Sequence, residues 1–219
     1  MQALLITALL LPVPQDPQTL TERFETPEGV VVSLWAESPH LYNPAAIDVD
    51  PKGRVWVAEA VNYRRWGGRN PGVDHPEGDR IVIVEDTDGD GSADSSKVFV
   101  QDADLTAPLG ICVVPPHVYV SCSPNIFVYT DEDGDDVPDK RETFLTGFGG
   151  FDHDHGVHSL VAGDDGWLYF NAGNAGPHIV RGADGNMVRS GSIYGGQKNT
   201  PGLVSDDGMA WTSGIMMRV

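Results

Sequence analysis

The sequence predicts an all-β protein, and three observations support this fold class. Short runs of alternating β-branched and aromatic residues, bounded by Gly, Pro, Asn and Asp, recur along the chain, whereas helical periodicity is nearly absent. In addition, an Asp-rich segment followed by a phenylalanine occurs twice, 45 residues apart. This interval matches one four-stranded blade of a β-propeller. We therefore expect about three four-stranded blades of a larger propeller, with an incomplete ring.

The candidate strands share this alternation and end at turn-forming residues. They comprise residues 30–36, 46–50, 55–60, 80–85, 97–101, 109–114, 118–123, 126–130, 143–146, 158–162 and 167–171. The segment YRRWGGRNPGVDHPEG lies between the candidate strands 55–60 and 80–85. It is too polar and too rich in Gly and Pro for a core strand. We expect an insertion there.

The internal repeat defines the unit of the fold. The string DTDGDGSAD begins at Asp86 and DEDGDDVPD begins at Asp131, and Phe99 and Phe144 keep the same spacing. Each unit is interpreted as strand, turn, strand, strand, Asp-rich loop and strand, with the loop between the third and fourth strands. A third unit begins with HSLVAGDDGWLYFNAG, which parallels AAIDVDPKGRVWVAEA. Because propellers close with about four to eight blades, we expect the chain to be the N-terminal part of a longer protein.

The charge balance argues against two classes of partner. The 219 residues carry 32 Asp and Glu against 14 Lys and Arg, for a formal net charge of −18. Nucleic-acid binding requires cationic side chains that neutralise phosphates, and an anionic membrane surface repels a chain of this charge. The composition favours cationic partners.

The first residues are similar to an export signal. An apolar run over residues 3–11 is followed by Pro12, Pro14 and Pro17, as in the apolar and exit regions of a signal peptide. The run is too short to span a bilayer. We expect residues 1–18 to be a signal peptide and residues 19–219 to be the propeller part of an exported protein, periplasmic or extracellular. A misassigned start codon or an ordinary buried strand is the alternative.

Two cysteines flank a turn-like Pro-Pro-His sequence. If residues 111–114 and 118–122 form a hairpin across this turn, Cys112 and Cys122 are expected to lie nearly opposite each other, close enough for a disulfide in an oxidising compartment. Two separate buried thiols are the alternative.

The first Asp-rich segment has the ligand spacing of a calcium loop. Its predicted ligands occupy positions 1, 3, 5, 7 and 9, with a backbone carbonyl at position 7: Asp86, Asp88, Asp90, Ser92 and Asp94. Carboxylates gathered within a few ångströms repel one another, so a closed loop of this kind is stable around a hard cation. Gly91 at position 6 allows the sharp turn. A solvated acidic turn without metal is the alternative for this loop and for the next.

The second segment repeats this spacing with two differences. Its predicted ligands are Asp131, Asp133, Asp135, the carbonyl of Val137, Asp139 and, at position 12, Glu142. Position 6 is Asp136, which must adopt a left-handed conformation at a cost of roughly 1–2 kcal/mol. We expect the second site to be weaker unless Glu142, which replaces Lys97 of the first loop, compensates. Strands flank both loops, which favours structural calcium sites of the extracellular kind.

A histidine cluster precedes the third unit. His153, His155 and His158 lie in the segment FDHDHGVHSL, beside Asp152 and Asp154. Such a cluster is consistent with a transition-metal site or with a general base that a carboxylate orients. Polar loop histidines, one of which caps a strand end, are the alternative.

The segment from His155 to Gly173 resembles soluble quinoprotein sugar dehydrogenases. In that family, a histidine that faces pyrroloquinoline quinone (PQQ) stands a few residues before the motif L-x-x-G-x-D-G-x-L-Y, which this sequence matches over residues 160–169. The resemblance implies that His155 is the catalytic base that takes a proton from a sugar or alcohol hydroxyl as hydride passes to the quinone. The sequence departs from the pattern at Ser159, where that family has arginine.

A broader resemblance covers about residues 28–219. The strings NPAAIDVDPKGRVWVAE, RIVIVEDTDGDGSAD and GVHSLVAGDDGWLYFNAG are similar to a family of membrane-bound dehydrogenase domains common in planctomycete-type bacteria. Longer relatives often continue into a c-type cytochrome, so the resemblance implies such a cytochrome as electron acceptor. In the sugar dehydrogenases the calcium that polarises the quinone is bound by later blades, so the two Asp-rich loops are a separate feature.

These observations favour the N-terminal part of an exported quinoprotein-like dehydrogenase that oxidises a sugar or polyol and carries two structural calcium loops. A non-catalytic, calcium-stabilised propeller that binds carbohydrate or protein is the main alternative, and a lactonase-type hydrolase with a metal in the central channel is a third. The fold does not select among them. A His155 side chain that faces the channel favours the dehydrogenase, whereas one on the solvent-facing rim favours the binding protein.

Overall fold

The computed structural model describes residues 24–63, 75–149, 155–173, 178–181, 187–190 and 214–219. The predicted signal peptide, most of the predicted insertion and His153 lie outside these ranges. The chain divides into two units, Met1–Trp35 and Ala36–Val219. In the described part of the first unit, the prediction of a strand from residue 30 is wrong. Val30 and Val31 are exposed and follow a turn closed by the Val30 N–H and the Pro27 carbonyl, so the alternating apolar pattern there has no partner strand.

The described part of the second unit consists of β-strands joined by turns and loops. Its strands are β1 Pro44–Val49, β2 Val55–Glu59, β3 Arg80–Glu85, β4 Ser95–Gln101, β5 Gly110–Val114, β6 His117–Cys122, β7 Asn125–Thr130, β8 Lys140–Thr146, β9 Val157–Ala162, β10 Leu168–Ala172, β11 His178–Arg181, β12 Met187–Ser190 and β13 Ile215–Arg218. Within the described ranges no helix has the length and apolar character needed to cross a bilayer.

The strands pair as successive antiparallel sheets. The first sheet has the order β1-β2-β3-β4 and the second the order β5-β6-β7-β8, so each is a simple meander. A third sheet has the order β13-β10-β9, and β11 pairs with β12. These are the blades of a β-propeller, as the sequence predicts, and among the described residues the sheets do not close into a ring.

Two hydrophobic clusters hold the sheets together, one on each face of the second sheet. The first cluster lies between the first and second sheets and comprises Trp56, Ala58, Ile81, Ile83, Phe99, Leu105, Ile111, Val113, Val118, Val120, Cys122, Phe127 and Tyr129. The other lies against the third sheet and β11 and comprises Cys112, Ile126, Phe148, Val157, Leu160, Leu168, Phe170, Ala172, Val180 and Ile215. Because successive residues of a strand face opposite sides, the second sheet is buried on both faces, as a blade inside a propeller is.

The cysteines do not pair. The hairpin forms, but its register places Cys112 opposite Tyr119, and Cys122 lies past Gly110, the first residue of β5. Their side chains enter different clusters, on the two faces of the sheet. Both cysteines are buried thiols, and the expectation that they lie opposite each other is wrong.

The first strands of the three sheets run side by side. The Val113 N–H donates to the Asp48 carboxylate at 2.7 Å between β5 and β1, and the Ser159 N–H donates to the Leu109 carbonyl at 3.4 Å between β9 and the start of β5. We call the edge at which β1, β5 and β9 begin the upper edge and the opposite one the lower edge. The meander order places the β3–β4 and β7–β8 loops at the lower edge and His155, just before β9, at the upper edge.

Candidate functional site

Both Asp-rich loops join the third and fourth strands of their sheets, so they occupy equivalent corners of two blades. This confirms the prediction from the 45-residue repeat. In each loop the last aspartate returns its N–H to the end of the preceding strand, from Asp94 to the Glu85 carbonyl at 2.9 Å and from Asp139 to the Thr130 carbonyl at 2.8 Å. The chain is therefore closed into a loop by the same hydrogen bond in both blades.

The first loop gathers three carboxylates. One oxygen each of Asp86, Asp88 and Asp90 lies within 4.8 Å of the others. The Asp86 carboxylate also accepts the N–H groups of Gly89 at 2.7 Å and Gly91 at 2.9 Å, which folds the loop around position 1. The structure thus brings the predicted ligands of positions 1, 3 and 5 into reach of one cation.

The second loop has the same backbone fold. The Asp131 carboxylate accepts the N–H groups of Gly134 at 2.8 Å and Asp136 at 3.0 Å, as Asp86 does in the first loop. Here the three carboxylates within 4.8 Å of one another belong to Asp131, Asp133 and Asp139. The two loops therefore present different carboxylates on one scaffold, positions 1, 3 and 5 in the first and 1, 3 and 9 in the second.

The other predicted ligands have different surroundings. The Asp94 carboxylate accepts hydrogen bonds from the Thr87 hydroxyl at 2.7 Å and from the Thr87 N–H at 3.1 Å. These two hydrogen bonds hold the pKa of Asp94 below its usual value. Asp135 accepts the Val137 N–H at 2.9 Å, as Asp90 accepts the Ser92 N–H at 2.8 Å. The roles of the Ser92 and Val137 carbonyls stay predictions. Glu142 is exposed on β8 opposite Val128, outside the group of three carboxylates.

Position 6 distinguishes the loops. Asp136 has φ 62°, the left-handed conformation expected for it, and Gly91 has φ 93°. The Asp136 carboxylate leaves the loop and pairs with Arg54 of the first sheet at 2.9 Å, and this hydrogen bond holds its pKa below the usual value. Arg54 also pairs with the buried Asp50 at 2.7 Å, which accepts the Trp56 indole N–H at 3.0 Å. Sequence reasoning missed this network, although an Asp at a glycine position was a signal for it.

Lys97 stands at position 12 of the first loop, but its side chain contacts the second loop. Its ammonium donates to the Asp135 carbonyl and lies 3.9 Å from the Asp136 carboxylate. A pocket of about 500 Å³ lies beside the second loop, and its lining includes Asp131 and Asp133 together with the β1–β2 and β5–β6 turns. The second loop therefore faces a junction between two blades.

His155 lies at the upper edge and is half-buried. The backbone directly after it is anchored by two hydrogen bonds: the Gly173 N–H donates to the Gly156 carbonyl at 2.7 Å, and the Val157 N–H donates to the Ser123 hydroxyl at 3.0 Å. A Cβ at position 173 would lie 2.4 Å from the His155 carbonyl oxygen, so glycine is required there. Of the other two histidines, His158 lies within β9 opposite Asn171.

The departure from the sugar dehydrogenase sequence falls at a β-bulge. Ser159 has φ 47°, and the register of β9 against β10 shifts between Phe170 and Asn171. A Cβ on Gly110 would lie 2.7 Å from the backbone nitrogen of Ser159, so β5 and β9 approach each other closely at this point. Bulges occur beside active sites, where they change the direction of a side chain.

Two buried acids also lie at the upper edge. Glu59 is fully buried and accepts the Arg80 guanidinium at 2.7 Å. Asp79 is fully buried, and burial raises its pKa, although it accepts the N–H groups of Asn62 at 3.0 Å and Ala107 at 2.7 Å. No sequence pattern indicated Asp79, because a single Asp beside a Gly is typical of a turn.

Three solved structures resemble the chain. The holo form of a pyranose dehydrogenase PQQ domain from Coprinopsis cinerea is 20% identical with a TM-score of 0.46, over 63% of this chain and 29% of that one. A calcium structure of a Trichoderma reesei enzyme of carbohydrate-active family AA12 is 18% identical with a TM-score of 0.43, over 66% and 32%. A gluconolactonase from Xanthomonas campestris is 19% identical with a TM-score of 0.45, over 72% and 49%.

The chain thus spans between 29% and 49% of the length of these three solved chains. No curated protein matches the sequence. Residues 16–198, well over half of the chain, match the family DUF7133, a domain of unknown function. The chain belongs to the DUF7133 family.

Proposed function

We propose that the chain is the N-terminal part of an exported quinoprotein-like dehydrogenase that oxidises a sugar or polyol and carries two structural calcium loops. The observation that carries the proposal is the separation of two sites. His155 is held at the upper edge before β9, and both carboxylate clusters lie at the lower edge. A proton-transfer group and the metal loops therefore have different places in the blades.

His155 supplies the base. A neutral imidazole accepts a proton near neutral pH, and a base must stand within hydrogen-bond reach of the hydroxyl that it deprotonates. The anchoring of the backbone by Gly173 and Ser123 restricts where the imidazole can reach. In this role His155 takes the hydroxyl proton of the sugar or polyol while the carbon-bound hydrogen leaves as hydride.

PQQ, when bound, would accept that hydride. The quinone carries several carboxylates, which require cationic partners. Among the described residues at the upper edge, the Arg80 guanidinium is already paired with Glu59, so the described residues fit the base and not the binding of the quinone. We assign quinone binding, and electron transfer to a c-type cytochrome, to the full-length protein.

The two loops fit calcium. Three carboxylates within 4.8 Å of one another offer a hard cation the oxygen ligands that it prefers, and the backbone carbonyl at position 7 adds another. Because both loops connect strands of a blade, the metal would stabilise the fold without taking part in catalysis. An affinity of ~10⁻⁴ to 10⁻³ M suits an exported protein.

The experiment compares His155→Ala with His153→Ala, a matched control in the same segment. The full-length protein is reconstituted with PQQ and calcium, and dye reduction is measured with a panel of sugars and polyols. Loss of a general base typically lowers the rate by ~10² to 10⁴, so His155→Ala should be nearly inactive and His153→Ala active. Equal activity of the two variants would remove His155 from this role.

The same preparation tests the alternative. A wild-type protein that binds calcium at two sites but neither binds PQQ nor reduces the dye would favour a non-catalytic propeller that binds carbohydrate or protein. The carboxylate clusters are the feature that supports this second function, since they require no redox partner.

A further inference from the structure

His178 is a fully buried histidine at the start of β11, outside every motif that the sequence singles out. Its Nδ1 lies 2.9 Å from the Gly149 backbone nitrogen, and its Nε2 lies 2.8 Å from the Gly173 carbonyl oxygen. A backbone N–H only donates and a carbonyl only accepts. The ring is therefore neutral, with the proton on Nε2 and the lone pair of Nδ1 facing Gly149.

The imidazole joins two glycines, Gly149, which precedes His155 in the chain, and Gly173, which contacts the backbone at His155 and Gly156. Gly149 leads into the segment that contains His155. Gly173 supports the backbone after this point, because the Gly173 N–H donates to the Gly156 carbonyl at 2.7 Å and a Cβ on Gly173 would lie 2.4 Å from the His155 carbonyl oxygen. One side chain thus connects Gly149 with the strand end that holds the backbone at His155 and Gly156.

The backbone of His178 is fixed without its imidazole. The next residue, Ile179, donates its N–H to the Gly147 carbonyl at 2.7 Å. A Cβ on Gly147, which has φ 105°, would lie 1.9 Å from the Ile179 carbonyl oxygen, so only glycine permits this crossing. The Phe148 ring stands 6.2 Å from the imidazole and packs edge-on against Phe170. A change of the His178 side chain therefore tests the ring itself.

We infer that His178 is a positioning residue, whose imidazole holds Gly149 and Gly173 together and, through Gly173, fixes the backbone at His155 and Gly156. The inference rests on the proposed role of His155 as the base. His178 does not touch the substrate, and it acts through the two glycines. Burial lowers the pKa of His178, which keeps the ring in the neutral form that both hydrogen bonds require.

The test uses His178→Asn and His178→Gln in the full-length protein. Asn places an amide near Nδ1 and Gln places one near Nε2, so each variant can replace one of the two hydrogen bonds. His117→Asn is the matched control, because His117 is part-buried and bonded to the Thr130 hydroxyl at 3.0 Å, but lies at the lower edge. Amide hydrogen exchange of peptides over residues 147–158 is compared with exchange over β1 to β4.

Both His178 variants should raise exchange in the 147–158 peptides about tenfold and leave β1 to β4 unchanged, since one buried hydrogen bond is lost. The control should leave both regions unchanged. Unchanged exchange in 147–158, or a uniform increase over the whole chain, would overturn the inference. If neither variant folds, nitrogen NMR of the wild type decides, because a proton on Nδ1 in place of Nε2 is incompatible with the assigned contacts.

Kinetics supply the second measurement. A misplaced base should lower kcat about ten- to a hundredfold and leave KM nearly unchanged, and the two amide variants should retain more activity than His178→Ala. A rise in KM at constant kcat would contradict positioning of the base. A wild-type protein without dye reduction removes the dehydrogenase proposal alone, since the exchange experiment still decides whether His178 fixes the backbone at His155 and Gly156.

Discussion

The two Asp-rich loops share a backbone but differ in their surroundings. A Cβ at Gly91 in the first loop meets nothing within 4 Å, whereas Asp136 at the same position of the second loop reaches Arg54 in the neighbouring sheet at 2.9 Å. Lys97 adds a second contact from the same sheet. The same spacing of acidic residues is therefore compatible with two arrangements, one in which position 6 is a glycine in open space and one in which position 6 forms an ion pair with the neighbouring blade.

This difference changes the expectation for the second site. A left-handed Asp costs roughly 1–2 kcal/mol, which alone predicts a weaker loop. The Asp136 carboxylate, however, is partly buried against Arg54, whose side chain is only 13% exposed. The ion pair between Asp136 and Arg54 offsets part of the backbone strain at Asp136. The second loop therefore has a less favourable turn but gains a contact between blades.

Removal of calcium should have the largest effect. If both loops bind calcium as proposed, the metal at ~100 times its dissociation constant should stabilise the folded chain by about 2.7 kcal/mol per site, because it would bind the closed loops and not the unfolded chain. Thermal unfolding is compared in calcium and in chelator for the wild type, Asp86→Asn and Asp131→Asn. Each variant should lose about half of the calcium-dependent shift. Coincident curves for the wild type, with no bound metal, would restore the solvated-turn interpretation of both loops.

Loss of Arg54 should rank second. Arg54→Met leaves the Asp50 carboxylate, only 2% exposed, without its cation and releases Asp136 as well. We expect a loss of about 2–3 kcal/mol, below the range for fully buried pairs because Arg54 is partly exposed. Urea unfolding in chelator measures it. Lys52→Met in the same turn is the control and should change stability by less than about 0.5 kcal/mol. Similar losses for the two variants would show that the ion pairs of Arg54 contribute little to the free energy of unfolding.

The sequence predicts the local features of the molecule well. The bounds of β3 agree with the predicted residues 80–85, and both loops lie where the 45-residue repeat predicts them. These features depend on alternation, turn residues and spacing within a few residues, which a sequence displays directly. The predictions beyond the described residues, the signal peptide among them, stay predictions.

Long-range features escape sequence reasoning. Arg54 and Asp136 are 82 residues apart, and nothing local indicates that they meet. The hairpin register that separates Cys112 from Cys122 depends on where the turn begins, and a shift of a few residues reverses the conclusion. His178 was missed because β11 is short and its partners are backbone groups of glycines, which carry no side-chain signal.

Exchange of the position 6 residues should have a smaller effect. Gly91→Asp forces a left-handed Asp into the first loop without a partner, at a cost of about 1–2 kcal/mol. The reverse change, Asp136→Gly, relieves the strain and removes the ion pair, so its net effect should lie within about 1 kcal/mol of zero. Urea unfolding in chelator measures both. Equal losses would mean that position 6 has equivalent surroundings in the two loops.

Acid should produce the smallest difference. Burial opposes ionisation of Asp50, but hydrogen bonds from Trp56 and Arg54 prevail and hold its pKa below 3.8, and the hydrogen bond from Arg54 does the same for Asp136. A carboxylate with a lowered folded pKa contributes stability that is present above the unfolded pKa and is lost as the pH falls through the folded value. The wild type should therefore lose more stability than Arg54→Met between pH 6 and about pH 3, in chelator.

The first loop supplies the control for this acid response. Thr87→Val removes the hydroxyl that Asp94 accepts, but both groups are exposed and lie within one loop, so the variant should follow the wild-type pH dependence closely. Unfolding free energies from urea at each pH give the comparison. A contrary result would be that Arg54→Met and the wild type lose stability in parallel while Thr87→Val departs from both. The acid-sensitive carboxylates would then belong to the first loop, and the ion pairs of Arg54 would not be the source of the difference between the loops.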